Sequence, residues 1–168
     1  EMVRNHMGYM GINIKLVGLA SGFGTGILGN SHYGLEDVAI IRAIPNITIV
    51  SPADSTETVK ATTALMNYNK PVYLRLTGQG NNPIVYKEDY KFEIGKAIVL
   101  KNGIDIAIFA VGTMVFNSLE AAKILQEEGI LASVINMHTI KPLDEKVIID
   151  AAKKHKMLVS VEEHSKKG

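Results

Sequence analysis

A glycine-rich loop between an apolar strand and an amphipathic helix restricts the fold of this chain more than any other feature. Residues 22–45 read GFGTGILGNSHYGLEDVAIIRAIP, with four glycines in the first eight positions, and they follow an apolar run at residues 14–20. Glycine lets a backbone approach a ligand closely or adopt positive φ without steric cost. In open α/β sheets, ligands bind at the carboxyl edge of the strands, where such a loop lies. The loop therefore predicts an α/β fold with a ligand site at this edge.

Strand and helix patterns alternate along the chain, which favours parallel sheets covered by helices on both faces. The predicted strands cover residues 14–20, 47–51, 71–76, 105–111, 131–136 and 157–161, and the predicted helices cover residues 34–43, 55–67, 114–128 and 145–156. The strand at 105–111 is almost uniformly apolar and is predicted to be central. Asn102-Gly103 predicts a hairpin turn between it and residues 91–100. Thr113 is a predicted helix cap, and Gly129 a predicted helix stop.

The polar, turn-rich residues 77–89 divide the chain into two parts. We predict a first unit at residues 1–80, a linker at 81–90 and a second unit at 91–168. The fold class is α/β, with two three-layer units that contain mainly parallel sheets.

Composition and charge argue against several classes of protein. The formal net charge of the 168 residues is +1, which gives no electrostatic basis for binding nucleic acid. No apolar run approaches the roughly 18 residues of a membrane span, and we expect no signal peptide. The chain has no cysteine, which excludes disulfides and thiolate metal sites and favours a cytoplasmic protein.

The glycines also match the dinucleotide-binding pattern GxGxxG, at Gly24, Gly26 and Gly29. That pattern requires an acidic residue roughly 20 positions further on, at the end of the next strand. The first acid after the next predicted strand is Asp54, about 30 positions past Gly24. Asp54 is better explained as the N-cap of the helix at 55–67, with Glu57 in a capping-box position. We therefore disfavour a dinucleotide site.

Three segments follow one another from the loop to the end of the chain. Residues 31–54 read SHYGLEDVAIIRAIPNITIVSPAD, residues 106–145 read IAIFAVGTMVFNSLEAAKILQEEGILASVINMHTIKPLDE, and residues 161–168 read VEEHSKKG. In sequence and order they resemble the transketolase family of thiamine diphosphate enzymes. The resemblance implies the second half of a pyrimidine-binding domain, in a fragment of the thiamine diphosphate-binding fold, followed by a transketolase C-terminal domain that lacks its last helix.

The resemblance implies thiamine diphosphate and Mg²⁺ as cofactors, bound mainly outside this chain. In the family, the glutamate that activates the cofactor and the aromatic contacts lie upstream of the glycine-rich loop, and a Gly-Asp-Gly motif binds the metal elsewhere. Neither Glu36 nor Glu57 replaces that glutamate, since both follow the loop and are interpreted as solvated or capping residues. We expect part of a longer polypeptide, or the C-terminal subunit of a split transketolase. Its expected partner is a second copy in a homodimer, or a diphosphate-binding subunit in a heterotetramer.

His32 is the predicted catalytic residue. An imidazole with a pKa near neutrality can hydrogen-bond a developing alkoxide or shuttle its proton. The resemblance implies that His32 faces the thiazolium of the cofactor and contacts substrate. The remaining histidines are interpreted as solvated or structural, and a metal site at His164 is disfavoured; they are His6, His138, His155 and His164.

The resemblance also outlines a substrate pocket formed by Ala20, Leu28, Ser31, His32 and Gly78. Typical family members have a histidine, an aspartate and a phosphate-binding arginine where this chain has Ala20, Leu28 and Gly78. These differences imply a donor that is unphosphorylated, or whose phosphate is held by groups outside this chain. Arg75 lies three positions before Gly78, within the predicted strand.

The function implied by the resemblance is transfer of a two-carbon ketol unit between small carbonyl compounds or sugars. Two alternatives remain open. One is the decarboxylating branch of the family, as a deoxyxylulose phosphate synthase-like protein or a 2-oxo acid dehydrogenase E1 β-like subunit. The other is an inactive fragment that serves dimerisation or assembly.

Overall fold

The computed structural model describes residues 1–77 and 82–167, in which eight strands and four α-helices are present. The strands are Lys15–Gly18 (β1), Thr48–Val50 (β2), Val72–Arg75 (β3), Ile98–Lys101 (β4), Ile106–Ala110 (β5), Ala132–Asn136 (β6), Thr139–Lys141 (β7) and Met157–Val161 (β8). The α-helices are Asp37–Ala43 (α1), Ser55–Met66 (α2), Met114–Glu127 (α3) and Glu145–Lys154 (α4). A π-helical turn at Val3–Tyr9 precedes β1. None of the helices in this described part of the chain is long and apolar enough to cross a membrane.

The strands form two four-stranded sheets, and both sheets are mainly parallel. The first sheet has the order β1-β3-β2-β7, with β7 antiparallel to β2. The second sheet has the order β4-β6-β5-β8, with β4 antiparallel to β6. The predicted α/β fold class is confirmed. The strand predicted to be central corresponds to β5, which lies between β6 and β8.

Each sheet is covered by helical elements on both faces. In the first sheet, Ile49 and Tyr73 pack against Ile41 of α1 on one face, and Val50 packs with Ala61 of α2 on the other. Separate apolar clusters join the second sheet to α4 and to α3. Successive side chains of a strand point to opposite faces of its sheet. The continuous apolar runs in the sequence are therefore explained by strands that are buried on both sides.

The predicted hairpin at Asn102-Gly103 is wrong, because β4 pairs with β6 instead of β5. After β4 the chain crosses the beginning of β6, where Ile104 N and Asp105 N donate to Leu131 O at 3.0 and 2.9 Å. A Cβ at Gly103 would lie 2.4 Å from that same carbonyl oxygen. The glycine therefore permits a close crossing of two backbones rather than a two-residue turn.

Strand β7 has no counterpart among the predicted strands. Its residue Thr139 pairs with Val50, and Ser51 N donates to His138 O at 2.8 Å. Three residues followed by a proline give too short a pattern to indicate a strand. A segment from the second half of the chain thus forms an edge of the first sheet.

The helix boundaries agree with the predictions at two positions and differ at a third. Asp54 caps α2, since its Oδ1 accepts from Glu57 N at 2.7 Å. Gly129 follows α3 with a φ of 81°, as a glycine stop requires. Thr113 makes no capping hydrogen bond to α3, and its hydroxyl donates to Glu163 instead.

Candidate functional site

The glycine-rich loop leaves the carboxyl end of β1 and is closed by a pair of backbone hydrogen bonds. Gly22 N donates to Gly34 O at 2.9 Å, and Gly34 N donates to Gly22 O at 3.0 Å. Ser21 N also donates to Leu76 O at 3.1 Å, which joins the base of the loop to the residue that follows β3. We call residues 23–33 the histidine loop, and the pair Gly22 and Gly34 its neck. The neck lies at the carboxyl edge of the first sheet, where the sequence predicts a ligand site.

Contacts within the histidine loop set its shape. Thr25 Oγ1 donates to His32 O at 3.2 Å, and Tyr33 OH donates to Gly26 O at 3.0 Å. The rings of Phe23 and Tyr33 pack edge to face with their centroids 5.0 Å apart. These contacts connect the first half of the loop to the backbone at His32 and Tyr33.

His32 is exposed at the end of the 3₁₀ turn Asn30–His32. The helix predicted at residues 34–43 begins only at Asp37, so His32 lies five positions before α1 rather than next to its start. Its Nδ1 lies 3.0 Å from Ser31 Oγ, whereas its Nε2 has no hydrogen-bond partner among residues 1–77 and 82–167. An imidazole that is held at one nitrogen and open at the other can exchange a proton with a bound molecule.

The other predicted pocket residues lie on or near this loop. Leu28 shares the histidine loop with Ser31 and His32, and it is 56% exposed. Ala20 lies two positions before the neck, with a φ of 63° that few residues other than glycine adopt. Gly78 lies outside the described residues. The role of these residues in binding substrate stays a prediction.

Arg75 is a structural residue at the neck. Only 4% of its side chain is exposed, and its Nε and Nη2 lie 2.8 and 3.2 Å from the two carboxylate oxygens of Asp37. Nη2 also donates to Gly34 O and to Glu163 O, both at 2.9 Å. Burial acts to raise the pKa of Asp37, but the hydrogen bonds from Arg75 and Tyr73 and the Arg75 charge outweigh it and lower that pKa. Arg75 is therefore buried, and its Nε and Nη2 donors are bonded to groups of the protein itself.

Glu163, which follows β8, reaches the loop from the far end of the chain. Its Oε2 accepts from Thr113 Oγ1 at 2.7 Å, and its Oε1 accepts from Phe23 N at 3.4 Å. Sequence reasoning missed this residue, because the partners are 50 and 140 positions away and no local motif indicates such a pairing.

Glu57 is a buried polar centre, which corrects its interpretation as a solvated or purely capping residue. It is 0% exposed, and its carboxylate accepts from Ala53 N at 2.7 Å and from Tyr90 OH at 2.9 Å. Asn136 Nδ2 donates to both of its oxygens. The capping box is therefore altered, since the carboxylate returns to Ala53 rather than to the N-cap residue. Burial raises the pKa of Glu57 against the opposing effect of these hydrogen bonds.

The remaining histidines make contacts with neighbouring backbone and side chains. His6 Nδ1 lies 3.1 Å from a backbone oxygen in its own turn, and His164 Nε2 accepts from the backbone of α1 at 3.3 Å. His155 is half-buried and bonded to β6 and to the end of α4. His138 is 0% exposed, and its ring centroid lies 4.3 Å from that of Phe92. Burial lowers the pKa of His138 to about 4.

No three His, Cys, Asp or Glu side chains within residues 1–77 and 82–167 could together hold a metal ion.

Fold and site together define a two-sheet α/β protein with a histidine-bearing loop at the carboxyl edge of one sheet. Comparison with known families gives two matches: the transketolase pyrimidine-binding domain at residues 1–82, and the transketolase C-terminal domain at residues 95–168. The chain therefore belongs to the transketolase family.

Individual relatives match most or all of the chain. A subunit of the apulose-4-phosphate transketolase of Phocaeicola vulgatus is 38% identical over 100% of this chain and 54% of its own length. The 1-deoxy-D-xylulose-5-phosphate synthase of Halothermothrix orenii is 38% identical over 83% of this chain and 22% of its own length. A solved structure described as a split-gene transketolase, in an inactive β4 tetramer, superposes with a TM-score of 0.87. It is 35% identical, and the match covers 97% of this chain and 52% of that one. The chain thus spans about half the length of the transketolase subunits it matches.

Proposed function

We propose that this chain supplies the substrate-facing histidine loop of a thiamine diphosphate-dependent transketolase. The reaction would move a two-carbon ketol unit from a donor ketose or related carbonyl compound to an acceptor. The observation that supports this most directly is the exposed imidazole of His32. It lies on a closed loop at the carboxyl edge of the first sheet, within the residues that match the pyrimidine-binding domain.

The histidine loop fits the substrate side of such a site. When bound, thiamine diphosphate supplies an electron sink that stabilises a carbanion. The loop offers a neutral hydroxyl at Ser31 and an imidazole at His32, which suit a sugar or carbonyl oxygen. The activating glutamate and the residues that bind the diphosphate and Mg²⁺ would come from regions or a subunit outside this chain, as the family resemblance implies.

His32 would act on the substrate oxygen that gains negative charge during the transfer. Its free Nε2 can donate a proton or hydrogen bond to that oxygen, while the contact of Nδ1 with Ser31 Oγ limits rotation of the ring. A positioned acid–base group of this kind typically contributes about 10²–10⁴-fold to the rate.

We further propose that the complete enzyme is a cytoplasmic assembly. It would be a homodimer of a longer chain, or a heterotetramer with a diphosphate-binding subunit. The relative from Phocaeicola vulgatus is named as one subunit of its enzyme, and the split-gene relative forms a tetramer. Both observations support an assembly of several chains.

A deoxyxylulose phosphate synthase-like activity is the second candidate. It is favoured by the synthase of Halothermothrix orenii, which has the same sequence identity to this chain, 38%, as the transketolase subunit of Phocaeicola vulgatus. That match covers 83% of this chain, however, whereas the transketolase match covers 100%. We therefore place ketol transfer first.

The test is to replace His32 with alanine in the complete enzyme and to measure ketol transfer to an aldose acceptor. We expect kcat to fall about 10²–10⁴-fold, the contribution of an acid–base group, without a change in melting temperature. His6→Ala is the matched control, since His6 lies in the N-terminal turn, and it should retain the parent rate. Undiminished turnover of the His32 variant would contradict the proposal. Release of CO₂ from a 2-oxo acid donor without ketol transfer would favour the second candidate instead.

Calorimetric titration adds a test of the cofactor's location. The present chain alone, titrated with thiamine diphosphate and Mg²⁺, should bind more weakly than micromolar, because the proposed diphosphate contacts lie elsewhere. A tight one-site isotherm would show that this chain holds the cofactor by itself.

A further inference from the structure

Glu163 connects the neck of the histidine loop to the second sheet. Its backbone oxygen and Gly34 O both accept from the same nitrogen, Arg75 Nη2, at 2.9 Å. Its carboxylate accepts from Phe23 N, the first residue of the histidine loop, and from Thr113 Oγ1 at the start of α3. One residue therefore contacts the beginning of the loop and, through Arg75, its end.

The neck is shaped to receive this side chain. Gly22 has a φ of 62°, and a Cβ at that position would lie 2.5 Å from Glu163 Cβ and 2.7 Å from its Cδ. Both the backbone conformation and the lack of space require glycine. The Glu163 side chain thus packs directly on the backbone of the neck.

The residues next to Glu163 extend this contact along the chain that leaves the loop. Ser165 N donates to Leu35 O at 2.8 Å, and Ala39 N donates to His164 Nε2 at 3.3 Å. On its other side, the segment continues from β8, which pairs with β5 of the second sheet. The second sheet therefore sets the position of residues 162–165, and hydrogen bonds connect these residues to the neck and to the chain that follows it.

The histidine loop itself has little burial to hold it. Ser31 and His32 are exposed, as are Phe23 at 53% and Leu28 at 56%. Loops with few buried contacts open at low free-energy cost, so their position depends on how their ends are held. A displacement of about 1 Å at a reacting group can cost about a hundredfold in rate.

We propose that Glu163 is a positioning residue for His32: its carboxylate and backbone oxygen fix the neck of the histidine loop, so that the second sheet determines where the imidazole meets substrate. This inference rests on the proposed function of His32. It assigns to the C-terminal part of the chain a role in the geometry of the substrate site.

The experiment uses four variants in the complete enzyme: Glu163→Ala, Glu163→Gln, His32→Ala and the double variant His32→Ala with Glu163→Ala. The matched control is Glu162→Ala, which removes an exposed carboxylate from the adjacent position. Hydrogen exchange of peptides covering residues 22–34 is measured by mass spectrometry, together with kcat and KM. The exchange measurement reports on the loop without reference to turnover.

We expect Glu163→Ala to accelerate exchange across residues 22–34 and to lower kcat about ten- to a hundredfold, the range for misplacement of a reacting group. Glu163→Gln should have an exchange rate and a kcat between those of the parent enzyme and Glu163→Ala, because its amide oxygen can still accept from Phe23 N. It also remains informative if the alanine variant does not fold. In the double variant the rate should equal that of His32→Ala alone, because Glu163 acts through His32 and interacting sites are not additive.

Unchanged loop exchange in both Glu163 variants would overturn the inference. So would an equal effect of Glu162→Ala, or rate losses of His32→Ala and Glu163→Ala that multiply in the double variant. If His32→Ala itself keeps full turnover, the proposed function fails and the inference fails with it. If His32→Ala is impaired while Glu163→Ala behaves as the parent enzyme, only the inference fails.

Discussion

Asn136 Nδ2 donates to both oxygens of the Glu57 carboxylate, at 3.0 and 2.9 Å, although the two residues are 79 positions apart. Glu57 lies on α2 against the first sheet, and Asn136 ends β6 in the second sheet. Both are 0% exposed. The same amide nitrogen donates to Tyr86 OH at 2.7 Å, and Tyr86 stacks on Tyr90 with ring centroids 4.0 Å apart. A buried polar cluster therefore joins the two sheets through the segment that links them.

We expect Asn136→Leu to destabilise the protein by about 3 kcal/mol, since it leaves a buried carboxylate without its amide donor. Glu57→Gln should also destabilise the protein. Its NH2 group is a donor and would face other donors, Ala53 N or Asn136 Nδ2, where the carboxylate oxygens of Glu57 accept. Combining Glu57→Gln with Asn136→Asp reverses the donor and acceptor and should recover about 1–3 kcal/mol relative to additivity. Urea unfolding of the parent, Asn136→Leu, Glu57→Gln, Asn136→Asp and the double variant measures each value, and strict additivity of Glu57→Gln and Asn136→Asp would show that the pair is not coupled.

The pH dependence gives a second measurement on the same carboxylate. Burial raises the pKa of Glu57, so the folded state binds this proton more tightly than the unfolded state does. The stabilising contribution of the protonated form is therefore lost as pH rises through the folded pKa, above the ordinary value of 4.5. Glu57→Gln should remove this part of the pH dependence, and an unchanged pH profile would contradict the assignment.

Asp37→Asn should destabilise the protein by about 3–5 kcal/mol, because it leaves the Arg75 guanidinium buried without its counter-charge. The double variant Asp37→Asn with Arg75→Met should be more stable than Asp37→Asn alone, since it removes the uncompensated charge. Chemical denaturation of the two single variants and the double variant measures this. A double variant less stable than Asp37→Asn would mean that the backbone contacts of Arg75 outweigh its ion pair.

His138 should make the protein sensitive to mild acid. Its pKa is lowered from 6.5 to about 4 by burial, so the unfolded state takes up the proton first as pH falls. Stability that is fully present above pH 6.5 is then lost down to pH 4, by about 3 kcal/mol. His138→Phe should flatten the profile in this range. Phe92→Leu removes the neighbouring ring but keeps the imidazole, so it should lower stability at every pH without changing the slope.

Leu28→Asp should favour donors that carry more hydroxyl groups. Leu28 presents an apolar, exposed side chain on the same loop as His32, and a carboxylate there can accept a hydrogen bond from a sugar hydroxyl. We expect kcat/KM for an unphosphorylated ketose to rise about tenfold relative to hydroxypyruvate, the value of one charged hydrogen bond. Ile27→Asp is the matched control, because Ile27 is fully solvated and should leave the ratio unchanged.

Comparison of donors tests the pocket as a whole. This chain has Gly78 where the family resemblance implies a phosphate-binding arginine, so hydroxypyruvate or an unphosphorylated ketose should match or exceed xylulose 5-phosphate in kcat/KM. A clear advantage for the phosphorylated sugar that survives replacement of Arg75 would contradict this interpretation of the pocket.

The sequence is informative about the fold where a segment carries its own pattern. The central strand is predicted at residues 105–111 and observed at Ile106–Ala110, because an apolar run of that length suits a strand buried on both faces. The cap at Asp54 is likewise a local hydrogen bond. The hairpin prediction fails because a glycine that permits close approach looks the same in sequence as a glycine that forms a turn. Gly103 is of the first kind.

For the candidate site, the sequence locates the loop but not the residues that hold it. The glycines and His32 lie close together in the sequence, so the sequence alone indicates that they belong to one loop. Arg75 and Glu163 reach the neck from β3 and from beyond β8. Arg75 is 41 positions from Gly34 and 88 positions from Glu163, and only the packed tertiary structure brings such groups together. The burial of Glu57 depends in the same way on the second sheet.

The placement of β7 affects how the molecule can be divided. Although the family matches end at residue 82 and resume at residue 95, β7 carries residues of the later match into the sheet of the earlier one. A protease cut between the two matches would leave the fragments held together by that antiparallel pairing. The earlier fragment on its own would expose the backbone of β2 along an open edge, where it could pair with other chains. We therefore expect the two matched regions to behave as one folding unit rather than as two separable domains.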